Sequence, residues 1–158
     1  DVCSSDLALG LTTSLDTGWD PEERWMDDDL AAALAETDVL LPNALEFAAL
    51  TGTDDVAAGI SRLLRRGVRS IVLKRGADGA IHGDGEGLVA HSGFRATPVD
   101  TTGAGDSFNA GYLAAMLAGK PIPERLATGC ACGALTVAAV GGTGGVTGMD
   151  QVEAVISG

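Results

Sequence analysis

The sequence predicts an α/β fold in three layers, α/β/α, in which helices cover both faces of a mainly parallel sheet. Three observations lead there. Short apolar runs rich in Val, Ile and Leu alternate along the chain with longer segments of helical period, and glycine or proline marks most of the changes. Aromatic residues make up 4% of the chain against 46% hydrophobic residues in all, so the core must be built from Ala, Val, Leu and Ile. At 158 residues the chain is long enough for one domain with a real core and too short for two comfortable ones. Strands that alternate with helices pair in parallel, and ligands are then expected beyond the carboxyl ends of the strands.

The elements follow in order. Residues Ala8 to Leu15, an apolar and Thr-rich run closed by Asp16, form a buried strand. Pro21 opens a helix through Glu36, with acidic residues near the positive end of its dipole. Val39 to Leu41 is a short strand stopped by Pro42. Helices at Leu45–Leu50 and Asp55–Arg66 follow, the second with Ile60, Leu63 and Leu64 on one face and Gly67 at its end. Ser70 to Lys74 (SIVLK) is the clearest buried strand, and Gly76 to Gly79 turns it into Ala80–His82. A GDGEG hairpin leads to strands at Leu88–His91 and Arg95–Val99. A helix from Gly105 to Ala118, a second from Glu124 to Val140 and a short last one from Asp150 complete the pattern. Residues 1–7 (DVCSSDL) fit neither period and read as a foreign or disordered leader, which leaves 8–158 as the structured part.

Composition removes several classes of function. A formal charge of −12 argues against nucleic acid, whose backbone demands a basic face. The acidic run Asp27–Asp28–Asp29 reads as a solvated helix face. Three cysteines without framework spacing read as reduced thiols of a cytoplasmic protein; Cys130 and Cys132 lie two apart on a helix, facing away from each other, and cannot share a metal. The most apolar stretch, Leu126 to Val140, falls short of the roughly 20 residues of a membrane span. His82 and His91 lack partners at metal spacing and suit strand packing or the surface. Gly119–Lys120 is followed by Pro121, so it is no Walker loop, and Gly103–Phe108 lacks the third glycine of a dinucleotide fingerprint.

The chemistry concentrates in Asp100 to Phe108. A strand ends, small residues form a tight loop, and a long apolar helix begins at once. Gly103, Ala104 and Gly105 leave backbone N–H groups uncovered at the positive end of that helix, where an anion is best stabilised. Asp106 in the first turn is either a helix-capping carboxylate or a base beside the bound anion, and phosphoryl transfer requires both the donors and such a base. Asn43 and Glu46 have the spacing of a capping box. Lys74, at the carboxyl end of a buried strand, is placed either to meet a phosphate or to be solvated.

The string DTTGAGDSFNAGYL (100–113 from Asp100) closely resembles the second signature of the ribokinase-like PfkB carbohydrate kinases. Asp38–Glu46 (DVLLPNALE) resembles that family's strand-end Asn-x-x-Glu motif, Ile71–Gly79 (IVLKRGADG) its nucleotide-side strand and turn, and SLDTGWDP with Trp25 a segment that precedes them in many sugar kinases. The resemblance covers nearly everything after residue 8. It implies ATP and Mg2+ as cofactors, which local donors and a metal ion can hold despite the negative charge. It also implies Asp106 as catalytic base, with the Gly103, Ala104 and Gly105 N–H groups as the anion hole. Asn43 and Glu46 would organise magnesium through water, and Lys74, Gly76, Gly79 and Thr102 would stand near the nucleotide. Asp100 and Thr102 would bind a monovalent cation such as K+, with carbonyls from the glycine-rich 141–147 loop.

Relatives of this kind are about twice as long. Their amino-terminal half carries the sugar-binding residues and a lid, so this sequence does not specify the sugar or which hydroxyl reacts. A sugar or sugar acid is the expected substrate; a homodimer is one possible state of the full-length protein, and the sequence does not fix the oligomeric state. Two other readings stay open: a kinase of the same fold acting on a vitamin-like alcohol of the pyridoxal or hydroxymethylpyrimidine type, and a non-catalytic nucleotide-binding fragment.

Overall fold

A computed structural model describes residues 9–158 apart from 23, 24, 26, 143, 144 and 147. The leader expected at residues 1–7 and the start of the first expected strand at Ala8 lie outside the described residues. The chain divides into two compact units, one running to Leu73 and including Gly83–Leu88, the other made of Lys74–His82 and Val89–Gly158.

In the first unit β1 (Ser14–Leu15), β2 (Val39–Leu40) and β3 (Ser70–Lys74) pair in parallel in chain order, Ser14 opposite Val39 and Val39 opposite Ser70. β1 is shorter than the apolar run suggested. The Thr13 carbonyl still accepts the Val39 N–H (3.0 Å), but its own N–H goes to the Asp38 carboxylate (2.8 Å) and its hydroxyl to the Glu36 carbonyl, so side-chain bonds end the ladder there. α1 (Asp28–Ala35) also departs from expectation: it starts seven residues after Pro21. The Asp20 carboxylate takes the Glu22 N–H (2.9 Å) in a local turn, and Asp27 is the cap, accepting from the Leu30 N–H at 2.8 Å. Asp27, Asp28 and Asp29 are exposed at the helix's positive end, as a solvated acidic face should be.

α2 (Ala44–Thr51) and α3 (Val56–Leu64) are capped by Asn43 and Asp55, and α3 is amphipathic. α2 closes on Gly52 in the left-handed conformation (φ 66°). Phe47, Leu50, Ile60 and Leu63 are buried, and so are Ile71, Val72 and Leu73 of β3, which fits a parallel strand covered on both faces.

The second unit starts with the end of β3, a 3-10 turn at Gly76–Asp78, and the strands β4 (Ala80–Gly83) and β5 (Leu88–His91), which neighbour each other. α4 (Ala104–Leu117) and α5 (Ile122–Val137) then pack along each other. Their separation is set by glycine. A Cβ on Gly111 would lie 2.6 Å from the Cys132 sulfur, and one on Gly129 would lie 3.0 Å from the Phe108 ring. α6 (Met149–Ser157) buries Val152 against Ala131 and Cys132 of α5. His82 is buried with Nδ1 2.9 Å from the Tyr112 hydroxyl, which makes it a packing residue of the β4–α4 contact.

The strand expected at Arg95–Val99 is irregular. Pro98 has no N–H to give a ladder, and the N–H groups of Val99 (2.7 Å) and Asp100 (3.2 Å) both go to the Val137 carbonyl at the end of α5. α5 itself ends at Val137 and not at Val140, starting two residues before Glu124 behind Pro121.

The packing of α2 on α3 sets two effects against each other at Gly59. Alanine there would gain about 1 kcal/mol of helix propensity, but its Cβ would lie 2.6 Å from Cε1 of the buried Phe47 ring. Overpacking of this kind costs about 1–3 kcal/mol. Gly59→Ala should therefore lower the thermal midpoint, and Phe47→Leu in the same chain should remove part of that loss; a midpoint raised by Gly59→Ala alone would show that the contact is not tight.

Candidate active site

The candidate residues of the second unit gather around the start of α4. Gly103 is the residue before the helix, in the left-handed conformation (φ 72°, ψ 3°), and no side chain caps the helix. A Cβ on Gly103 would lie 2.7 Å from the Cα and carbonyl oxygen of Gly142, so a side chain is excluded both by conformation and by the crossing loop. The Ala104 N–H makes a long bond to the Thr101 carbonyl (3.3 Å). Among the described residues no acceptor takes the N–H of Gly103 or Gly105. Asp106 stands in this first turn and is exposed.

Lys74 ends β3, half-buried, and its ammonium comes to the same place: Nζ lies 3.7 Å from the position that a Cβ of Gly105 would occupy. A cation, two unclaimed backbone donors and the positive end of a 14-residue helix thus converge, with one carboxylate beside them.

Asp100 holds the approach to this turn. One carboxylate oxygen accepts from the Thr102 N–H (2.9 Å) and the other from the Gly141 N–H (3.0 Å). The Thr102 N–H, the Thr102 side chain and the Gly141 N–H together hold its pKa below the usual 3.8, and partial burial opposes them. Asp100 therefore ties the loop before α4 to the start of the 141–147 loop, whose residues 143, 144 and 147 lie outside the described set. Three donors on about four lone-pair sites leave the carboxylate room to meet a cation as well.

Gly76 and Gly79 bracket the 3-10 turn after Lys74. Gly79 (φ 79°) is pressed against the end of β5, where a Cβ would collide with the His91 carbonyl; Gly76 (φ 57°) faces open space. On α5, burial pushes the Cys130 thiol up to about 11, against the pull of the nearby Arg75 guanidinium, and burial raises Cys132 as well. Both are free thiols held in the protonated form, unsuited to nucleophilic work.

In the first unit Asn43 and Glu46 form a reciprocal capping box. Asn43 Oδ1 accepts from the N–H groups of Leu45 (2.9 Å) and Glu46 (3.0 Å), and the Asn43 N–H donates to Glu46 Oε2 at 2.8 Å. Glu46 is 5% exposed, so its carboxylate is fixed in direction. One of its oxygens carries the Asn43 bond.

Among the described residues no group of three or more His, Cys, Asp or Glu could hold a metal ion, and no helix is long and apolar enough to cross a membrane. Magnesium fits such a surface only if one or two carboxylates, water and ligand phosphates share it, which is its usual habit. Sequence reasoning missed two participants. Gly142, which excludes a side chain at Gly103, was hidden in a glycine-rich loop of uncertain register. The meeting of Lys74 with Gly105 is a long-range contact that no local pattern announces.

Residues 12–147 match the model of the pfkB family carbohydrate kinases. An ATP-dependent ribose-1-phosphate kinase of Halopiger xanaduensis is 37% identical over 148 residues, covering 94% of this chain and 47% of its own. Arabidopsis thaliana ribokinase complexed with ribose and ATP superposes with a TM-score of 0.89 at 26% identity, over 99% of this chain and 51% of its own. A protein from E. coli solved in complex with ATP and Mg2+ gives 0.87 at 28% identity, over 96% and 50%. The chain spans about half the length of these proteins. The likeness extends to the ribokinase fold as a mainly parallel sheet with helices.

The lowered pKa of Asp100 fixes the direction of a pH effect. Its folded value lies below the ordinary 3.8, so its stabilisation is complete above that value and is lost as pH falls through the folded pKa. Asp100→Ala should melt earlier than the parent at pH 7, and the gap should close as pH is lowered below about 3.9. A gap that stays constant down to pH 2 would mean that the charge of Asp100 does not hold the loop.

Proposed function

This chain belongs to the pfkB family of carbohydrate kinases, and from that premise we propose that it is the nucleotide-binding and catalytic part of an ATP-dependent kinase that phosphorylates a hydroxyl of a sugar or sugar-like molecule. The observation that carries the proposal is the Lys74 ammonium over Gly105 at the uncapped start of α4, with Asp106 in the same turn.

Bound ATP supplies the phosphoryl group, and bound Mg2+ draws charge from the phosphate oxygens. The rest is done by this chain. The N–H groups of Gly103 and Gly105, with that of Ala104 once its weak bond to Thr101 is released, carry negative charge that builds up on the transferred group; Lys74 neutralises part of it. Asp106 accepts the proton of the attacking hydroxyl, for which an exposed carboxylate beside the helix start is suitably open. Glu46 would hold magnesium through water, and Asn43 fixes the Glu46 carboxylate by the capping box, so the cap and the metal role are compatible. Asp100 and Thr102, with carbonyls of the 141–147 loop, hold a monovalent cation. Gly76 and Gly79 lie along the nucleotide.

The relatives support the substrate class through ribose-1-phosphate and ribose, and the cofactors through the ATP and Mg2+ complex. Acceptor binding in this reading depends on polypeptide beyond the matched half. The chain alone should bind magnesium-nucleotide weakly and phosphorylate no sugar, because acceptor positioning supplies much of the rate in phosphoryl transfer.

The test is Asp106→Asn, made in this chain and in a chimera that joins it to the amino-terminal half of the ribose-1-phosphate kinase relative. Magnesium-ATP affinity should hold within twofold in both settings. Sugar-dependent ADP release by the chimera should fall about 10²–10⁴-fold, the usual contribution of a general base. Transfer within threefold of the parent would rule out Asp106 as the base.

A further inference from the structure

Lys74 and Arg75 are adjacent, yet they serve different walls of the same unit. Lys74 reaches the start of α4, whereas Arg75 folds back over the turn that follows it. Its Nη2 donates to the Asp78 carbonyl (2.8 Å), its backbone N–H donates to the Gly79 carbonyl (2.8 Å), and its own carbonyl accepts the Asp78 N–H (3.1 Å). Only the bond from the Gly79 N–H to the Gly76 carbonyl (3.1 Å) closes the turn without it.

The turn is asymmetric. Its Gly79 end is clamped against the backbone of His91 and Gly93, while Gly76, Ala77 and Asp78 are exposed and a Cβ on Gly76 would meet nothing. A turn that needed only to reverse the chain would be held by its glycines and its backbone bonds. Here a half-buried guanidinium is kept under it at a cost, because Arg75 Nε is buried with no acceptor among the described residues. Its positive charge also reaches Cys130 on α5. Local rules are broken in this way mainly where function demands a fixed geometry.

We propose that Arg75 is a positioning residue for the nucleotide: its guanidinium holds the Gly76–Asp78 turn in the shape that receives the nucleoside end of a nucleoside triphosphate, acting through the turn and not through charge on the phosphates. This rests on the reading of Lys74 and the α4 start as the phosphate site. A triphosphate seated there leaves the remainder of the nucleotide within reach of the turn two residues further on, and the open side at Gly76 admits it.

The experiment compares two ligands by calorimetry on the full chain, magnesium-ATP and magnesium-tripolyphosphate, with the parent, Arg75→Ala and Arg75→Lys. Magnesium-ATP affinity should fall about tenfold in both variants, the effect of losing one hydrogen bond to a charged donor. Tripolyphosphate affinity should stay within twofold of the parent in both. Lysine keeps the charge but not the planar fork, so full rescue by Arg75→Lys would overturn the proposal in favour of a charge effect. Equal loss of both ligands would overturn it as a general effect on the phosphate site. Unchanged ATP binding in both variants would overturn it while leaving the phosphate site standing. A parent chain that binds neither ligand would refute the nucleotide reading first and this inference with it. If Arg75→Ala does not fold by circular dichroism, Arg75→Lys decides alone on the ratio of the two affinities.

Discussion

The feature on which the site depends is the contact between two backbones that have no side chains to separate them. Gly103 takes a left-handed conformation and passes so close to Gly142 that a methyl group on it would lie 2.7 Å from that residue's backbone. The crossing fixes how α4 begins. A helix normally covers its first N–H groups with a Ser, Thr, Asp or Asn cap; α4 has none, and its loop reaches the helix through a residue that cannot carry one. Positive potential is left on the surface where the chain would ordinarily have neutralised it. Asp100 makes this stable, since its two oxygens hold Thr102 on one side and Gly141 on the other. Neither oxygen is spent on the helix end itself.

The same economy of side chains governs the support behind the site. α4 and α5 approach until Gly111 meets Cys132 and Gly129 meets Phe108, so the two helices form one packed pair. His82 and Tyr112 satisfy each other within the buried layer, which lets polar groups stay there at little cost. Close packing suits the chemistry. Anion holes work by being organised in advance, and a helix start that shifted by even an ångström would lose much of its advantage.

Most of this could be read from the sequence, for reasons that differ by element. β3 was legible because three apolar residues in a row between polar ends admit no other buried form, and α4 because a glycine-rich loop ran straight into an apolar helical period. The Asn43–Glu46 box was legible because its spacing carries its geometry. α1 was misplaced because Pro21 is a good first-turn residue, whereas the Asp20 and Asp27 side chains both offer caps and only the second begins a helix. The strand at Arg95–Val99 failed because an extended segment becomes a strand only when a partner ladder is present, and here its N–H groups go to the end of a helix. What local pattern could never give is the meeting of distant residues: Lys74 over Gly105 and Gly142 against Gly103.

The account stands or falls on whether the start of α4 and Lys74 together bind phosphate. Lys74→Met keeps most of the apolar stem and removes the charge, so it separates packing from electrostatics. Magnesium-ATP affinity of the chain, measured by calorimetry at low ionic strength with the melting temperature as control, should drop about 10–100-fold while the melting temperature holds, because a charged hydrogen bond to phosphate is worth about 1.5–3 kcal/mol. Equal affinity in parent and variant at equal stability would contradict the account, since the Lys74 ammonium beside the helix start would then have no part in holding the anion.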